Sequence, residues 1–261
     1  MREPNPITKA AMESGEPVFR QVGVGPWAEE HPGEPEPADP RYDPELLDQG
    51  DRRNVLDRYR YWTVEAIRAD LDQRGRHGFE LAVENWTHDF NIGSMVRSAN
   101  AFGARRVHIV GPHKWNRKGA LMTELYQHVD HHPCVGELVA AWKRELAQEA
   151  ESLQAQALNA GSAAERVRLE SAAQAAAAAR VIALDIIPGA VPIETYSFPE
   201  RCLMLFGAEG PGLTRTALDL ADDVVYISQF GSVRSINAGA AAAVAMHAWV
   251  AQHMSIPGNG D

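Results

Sequence analysis

From Phe79 onward, apolar and polar positions switch repeatedly between two periods. The short, mostly apolar runs Phe79-Glu-Leu-Ala-Val83, Arg106-Val-His-Ile-Val110, Val181-Ile-Ala-Leu-Asp185, Arg201-Cys-Leu-Met-Leu-Phe206 and Val224-Val-Tyr-Ile227 predict buried strands. Between and after them, helical spacing runs from Ile92 to Phe102, from Gly136 to about Leu158, from Leu213 to Leu220 and from Ile236 to about Gln252. Gly103 suits the C′ position of the first of these helices, and Ser235 the N-cap of the last. Strands alternating with helices predict an α/β fold with a mostly parallel sheet covered on both faces.

The last of these helices has an unusual start, Ala238-Gly-Ala-Ala-Ala-Ala243. Side chains this small let another backbone lie close, and Gly239 gives up about 1 kcal/mol of helix propensity relative to Ala. A helix start behind a strand end also offers free N–H groups and a positive dipole end to a polar ligand. The same composition suits a tightly packed core helix. It does not suit a membrane span, because His247 and Gln252 break the apolar run short of the ~20 residues a bilayer requires.

Three other stretches have a different texture. Residues 1–45 are rich in Pro, Glu and Gly and predict a largely disordered acidic arm, since such a composition buries little apolar surface. A helix is predicted from about Arg53 to Arg74, within a helical extension over 46–78. It either packs through Tyr59, Trp62 and Ile67 or also touches nucleic-acid phosphate through its arginines. Lys143 to Arg180, nearly all Ala, Glu, Gln, Arg and Leu with a break at Asn159-Ala-Gly161, reads as an inserted, protruding helical hairpin, and Ser162-Ala-Ala-Glu165 supplies a capping box.

Length leaves room for one large domain, or one with appendages, in 261 residues. Cys134 and Cys202 make no disulfide framework, and the N-terminus lacks a basic-then-apolar leader pattern, so a cytoplasmic protein is expected. The net charge of -10 opposes indiscriminate polyanion binding but is uneven. Residues 1–50 hold eleven acidic against four basic residues, whereas residues 51–78 hold seven Arg against five acids. His128, His131 and His132 with Asp130 raise the thought of a metal site. No Cys pair or further spaced ligand accompanies them, so they read as a solvated or RNA-facing loop and no metal is expected.

Candidate chemistry lies in three segments. Asn91-Ile-Gly-Ser-Met-Val-Arg97 places an amide at a strand-to-helix junction and a cation in the second helical turn, toward the carboxyl edge of the sheet where open α/β folds bind ligands. Taken alone, the two also read as an N-cap and a surface arginine. Phe206-Gly-Ala-Glu209-Gly-Pro-Gly-Leu213 is a glycine-rich turn after a strand, but neither a dinucleotide fingerprint nor a phosphate loop. The third, Ser235-Ile-Asn237 with the following alanines, opens the last helix.

Together these segments resemble the three motifs of the SpoU (TrmH-like) branch of the SPOUT RNA methyltransferases, in the family's order and over about residues 79–253. The resemblance implies an α/β SPOUT fold with a C-terminal trefoil knot over 79–255. It also implies a homodimer formed through the knot region, S-adenosylmethionine as cofactor, and methylation of a ribose 2′-hydroxyl in tRNA or rRNA. Carried over residue by residue, it makes Arg97 the catalytic arginine and Asn91 its partner. Glu209, Ser235 and Asn237 become the other catalytic-motif residues. Phe206, Gly207, Glu209, Gly210, Ile227, Phe230, Ser235 and Asn237 are implied at the cofactor. The chain departs from the family where Ser228-Gln229-Phe230 replaces the frequent Pro-Met, which bears on the adenine contacts.

The reaction so implied is an in-line methyl transfer that needs no metal and depends on alignment. Arginine is a costly base, since deprotonating an ordinary guanidinium at pH 7 takes roughly 7 kcal/mol or more. Arg97 therefore either sits in a strongly perturbing site or steadies the developing alkoxide and nearby phosphate. Two rival functions fit the same residues: a methyltransferase acting on another substrate, and a non-catalytic RNA-binding or assembly protein. The arginine-rich segment weighs against the first, and the motif side chains weigh against the second.

Overall fold

The computed structural model describes residues 5–16, 22–87, 91–233 and 235–255. Arg234, at the end of the turn predicted from Ser228, lies outside the described residues, as do parts of the predicted N-terminal arm and the whole of the predicted C-terminal tail, 256–261. The chain divides into two compact units, Met1–Ala69 and Asp70–Asp261.

The first unit is more ordered than its composition predicts. It contains α1 (Pro6–Glu13), α2 (Trp27–Glu30) and α3 (Pro44–Gln49). Trp27 packs edge-on against Tyr42 and Tyr61, and Trp62 edge-on against Tyr42 and Tyr59. The unit is organised around Asp51, which is fully buried. Its carboxylate accepts from the Arg53 backbone N–H at 3.0 Å, Arg53 Nε at 2.8 Å, Arg53 Nη2 at 2.7 Å and the Tyr61 N–H at 3.0 Å. Its backbone pairs with Val24, and the Tyr61 hydroxyl donates to the Gly25 carbonyl. Polar pairing and ring contacts thus order residues whose scarcity of aliphatic side chains predicts disorder.

The helix predicted over 53–74 is correspondingly short. Asp57–Tyr59 is a single 3-10 turn, Tyr61 is left-handed at φ 62°, and regular helix begins only with α4 (Val64–Arg74). The arginines are largely occupied. Arg53 holds Asp51 and the Trp62 carbonyl, Arg60 bonds the Arg53 carbonyl, and Arg58 lies over the Tyr59 ring. Left-handed Tyr61 is held on both sides, its N–H by Asp51 and its carbonyl by the Asp43 N–H.

The second unit is the predicted α/β domain. Among the described residues its seven strands are β1 (Phe79–Glu84), β2 (Val107–Val110), β3 (Val129–His132), β4 (Arg180–Leu184), β5 (Val191–Pro192), β6 (Cys202–Phe206) and β7 (Asp223–Tyr226). All pairings are parallel, in the order β3-β2-β1-β6-β4-β7-β5. The helices are α5 (Ile92–Ala101), α6 (Val135–Leu158), α7 (Ala163–Ala177), α8 (Arg215–Leu220) and α9 (Ala238–His253). Alternation along the strands divides the core. Phe79, Leu81, Val83, Ile182, Met204 and Phe206 face α5 and α9, whereas Ala82, Val181, Ala183, Leu203 and Leu205 face α6, α7 and α8. At about 25 cal/mol per Å2 of apolar area, burial on both faces is the main stabilising contribution.

Two sequence readings are corrected here. The two predicted antiparallel helices form, but they do not simply protrude: Leu138, Val139, Trp142, Leu146 and Ala150 of α6 cover one face of the sheet, and α7 closes back through Ala173 and Ala176. The histidine segment is not a loop but the edge strand β3. Buried His108 bonds Glu80 through Nε2 at 2.9 Å and His132 through Nδ1 at 3.0 Å, while Trp142 donates to the same carboxylate at 3.1 Å. Burial alone would raise the pKa of Glu80, but the His108 and Trp142 hydrogen bonds hold it below the usual range. A polar edge strand carries too little apolar signal to be read from periodicity.

The Asp51 carboxyl is also held below its ordinary pKa: burial pushes it up, and the bonds from Arg53 and Tyr61 outweigh that push. Because the folded value is depressed, its stabilisation is complete well above the unfolded value of about 3.9 and is lost as pH falls through the folded one. Asp51→Ala should destabilise this unit by about 2–3 kcal/mol at pH 7. The check is amide exchange at Val24 and Tyr61, which should accelerate in the variant at pH 7 and differ less from wild type near pH 3.

Candidate functional site

All three sequence segments converge at the carboxyl edge of the sheet. Asn237, rather than Ser235, is the N-cap of α9. Its Oδ1 accepts from the Ala240 N–H at 3.1 Å, so the helix begins two residues later than predicted. Its Nδ2 donates to Asn91 Oδ1 at 2.7 Å, and Asn91 Nδ2 donates to Glu209 Oε2 at 2.8 Å. The direction of this chain follows from its ends. A backbone N–H must meet the Asn237 oxygen, and a carboxylate must meet the Asn91 nitrogen, so neither amide has a second workable orientation. Asn91 stands at the head of α5 without capping it through its side chain, because that amide is used across the site.

The helices come together through small residues. A Cβ on Gly239 would lie 2.6 Å from Ser94 Oγ, which brings α9 against the first turn of α5. In the glycine-rich turn, a Cβ on Gly207 would fall on the backbone of Gly212 and Leu213. The turn is tethered from outside by buried Glu84 at the end of β1. Its carboxylate accepts from the Thr214 N–H and Oγ1, both at 2.7 Å, and Thr214 in turn caps α8.

These elements enclose a cavity of about 500 Å3. Phe206, Gly207, Glu209, Gly210, Ile227, Ser235 and Asn237 all line it. So do residues the motifs did not point to: Leu184 and Asp185 at the end of β4, Val225 and Tyr226 of β7, then Gln229 and Ile236. Only sheet order brings the end of β4 beside those of β6 and β7; no local pattern marks Leu184 or Asp185 as lining residues. Phe230 does not line the cavity. Its side chain is 98% exposed, while the neighbouring Ser228 is tied by its hydroxyl to Glu194 at 2.9 Å. Arg97 is also apart from the cavity lining: it is exposed on α5 and has no hydrogen-bond or ion-pair partner among the described residues. Among the described residues no group of three or more His, Cys, Asp or Glu is placed to hold a metal ion.

The converging segments all fall within the match to one family. The SpoU rRNA Methylase family profile matches residues 78–247. The chain belongs to this family. Two relatives are named tRNA (guanosine(18)-2′-O)-methyltransferase. The one from Saccharomyces cerevisiae is 41% identical over 59 residues, 23% of this chain and 4% of that protein. The one from Escherichia coli K12 is 24% identical over 160 residues, 60% of this chain and 56% of that protein. This chain thus spans little more than half the length of the E. coli relative and a small part of the yeast one. A similar fold occurs in the SpoU methyltransferase AviRb from Streptomyces viridochromogenes, solved in complex with AdoMet: TM-score 0.52, 23% identity, with 68% of this chain and 58% of that one covered. Within the family profile, the SpoU segments of this chain are the strand ends and helix starts that build the cavity, and residues 1–77 lie outside the match.

Asn237→Ala should remove both the α9 cap and the link to Asn91, costing about 1–2 kcal/mol. The melting temperature should fall by several degrees. Asn91→Asp should set a carboxylate against Glu209. Its loss in melting temperature relative to wild type should therefore be larger at pH 7 than at pH 4, where carboxyls begin to protonate.

Proposed function

We propose that this SpoU-family chain is an S-adenosylmethionine-dependent RNA methyltransferase that modifies a ribose 2′-hydroxyl of tRNA or rRNA. The observation that carries this reading is the Asn237–Asn91–Glu209 chain, which ties the three motif segments together at the rim of one cavity. The cavity suits the cofactor. Its volume of about 500 Å3 lies within the range of small-molecule pockets. Leu184, Val225, Ile227 and Ile236 offer apolar walls for a flat base, and the carboxylates of Asp185 and Glu209 favour a cationic centre. Bound there, S-adenosylmethionine would supply an electrophilic methyl group, to be transferred with loss of the hydroxyl proton. The protein would orient the cofactor through backbone groups of Phe206, Gly207 and Gly210, and through the fixed Glu209 carboxylate. We read exposed Arg97 as an electrostatic residue that holds phosphate and steadies the developing alkoxide. Freedom from any carboxylate among the described residues leaves its full charge for that task.

We further infer that the chain works as a homodimer joined through its C-terminal segment and that this segment closes the family's trefoil knot. Phe230 at 98% and Val233 at 66% exposure present apolar surface that a monomer would leave in water, and Val244 on α9 adds to it. No described helix is long and apolar enough to cross a membrane.

Isothermal titration with S-adenosylmethionine, followed by transfer of labelled methyl to total RNA, tests the assignment. Absence of cofactor binding defeats the enzyme reading, and labelling of protein rather than RNA defeats the substrate assignment. Arg97→Ala should reduce transfer by at least a hundredfold while cofactor affinity stays within a few-fold. Phe230→Asp should shift the sedimentation mass from dimer to monomer at micromolar concentration.

A further inference from the structure

Near the cavity lies a surface that the methyl-transfer reading leaves unused. The connection from β2 to β3, residues 111–128, carries Lys114, Arg117 and Lys118, all exposed, and no acid occurs between positions 111 and 123. None of the three cations has a carboxylate partner among the described residues, and neither does Arg97. By contrast, Arg74, Arg76, Arg105, Arg106, Arg180 and Arg201 are all bridged to Asp or Glu. Arg144, Arg166 and Arg168 on the α6–α7 hairpin are also unbridged among the described residues, but Glu145, Glu165 and Glu170 stand between or beside them. In a chain of net charge -10, residues 111–123 therefore form a concentrated positive stretch.

The segment is rigidly placed. Asn116 Oδ1 accepts from the Lys118 N–H at 3.0 Å and starts a 3-10 turn over Arg117–Ala120. The turn lies on the head of α5, where a Cβ on Gly93 would sit 2.8 Å from Gly119 Cα. Leu121 and Met122 follow at φ 48° and 70°, two successive non-glycine residues in the left-handed region, with side chains 62% and 52% exposed. Strain of this kind persists only where the surroundings hold it, and it concentrates at working surfaces. On the other flank, Asn85 Nδ2 donates to the His113 carbonyl at 2.8 Å. The segment starts beside Trp86, where a Cβ on Gly111 would lie 3.4 Å from the indole; Trp86 is 39% exposed and its Nε1 donates to Glu84 at 3.2 Å. The Arg117 guanidinium stands 5.9 Å from the Trp115 ring.

Cations interleaved with a held, exposed ring match a flexible polyanion that carries flat bases. Duplex RNA keeps its base faces stacked and offers phosphates, 2′-hydroxyls and base edges, so a ring that stacks on a base face selects for unstacked nucleotides. We propose that the β2–β3 connection is the docking surface for a single-stranded stretch of the substrate RNA, with Lys114, Arg117 and Lys118 on successive phosphates and Trp86 under a neighbouring base. This rests on the RNA-methyltransferase reading. It adds to that reading the location of the RNA and the single-stranded character of the segment held. Packing on the head of α5 places the docked strand beside Asn91 and on the helix that bears Arg97.

The test uses the full chain with bulk tRNA, a single-stranded RNA 12-mer and a duplex of the same length. Wild type should bind the single strand more tightly than the duplex. The triple variant Lys114→Ala, Arg117→Ala, Lys118→Ala should bind the single strand at least tenfold more weakly at low salt. Its log K against log salt slope should be shallower by about 2, because each neutralised phosphate of a single strand contributes roughly 0.7 to that slope. Trp86→Ala should weaken single-strand binding about tenfold and leave duplex binding and the salt slope unchanged. The charge control Arg166→Ala, Arg168→Ala should bind like wild type. Cofactor titration and melting temperature should be unchanged in the triple variant, so a folding defect is recognised as such. An unchanged salt slope in the triple variant, or a preference for duplex, overturns the proposal while label transfer to RNA by wild type leaves the methyltransferase reading standing. Wild-type labelling of an acidic protein but not of RNA overturns both.

Discussion

The site depends on one polar chain. A backbone N–H of α9 meets the Asn237 oxygen, the Asn237 amide meets the Asn91 oxygen, and the Asn91 amide meets the Glu209 carboxylate. Each link polarises the next in the same sense, and the positive end of a helix dipole reaches a carboxylate across three segments far apart in sequence. An amide can serve in the middle because it carries a donor and an acceptor at opposite corners. Neither a carboxylate nor an ammonium there could continue the chain in both directions.

The rest of the domain makes that chain possible. Parallel strands put their carboxyl ends on one edge, and the order β3-β2-β1-β6-β4-β7-β5 sets β1, β6 and β4 side by side at its centre. The strand leading to Asn91 thus neighbours the strand leading to Glu209. Alternating burial on the two faces then fixes α5 and α9 together on one side, where Gly239 allows the backbone approach that the Asn237–Asn91 bond requires. Glu84 secures the glycine-rich turn from the opposite face through Thr214. The cavity is therefore held by polar bonds at its rim and by apolar packing beneath, an arrangement that limits reorganisation when a charged ligand enters.

Electrostatics divides the molecule in a way that composition hides. Arg53 and Arg60 of the arginine-rich segment clamp the first unit internally, so local charge there is mostly structural. The cations without a carboxylate partner among the described residues include Arg97, Lys114, Arg117 and Lys118, near the head of α5. A count of arginines points to the first segment, whereas pairing decides which of them face outward with charge to offer.

The sequence alone determined the α/β class and five strands to within a residue, and it pointed to Asn91, Glu209 and Asn237, which the fold joins by hydrogen bonds. Those features follow from local periodicity, glycine-rich turns and a recognisable motif order. The polar edge strand β3, the two-residue β5, the late start of α9, the structural role of α6 and the ordering of residues 22–50 were decided only in three dimensions. The same holds for Leu184 and Asp185 in the cavity wall and for Phe230 standing outside it. The physical reason is common to all of them. Each depends on which strand lies beside which, or on a polar partner supplied from elsewhere in the chain. A small shift at a helix start, or a buried carboxylate such as Asp51, is set by that partner and leaves no periodic trace along the chain.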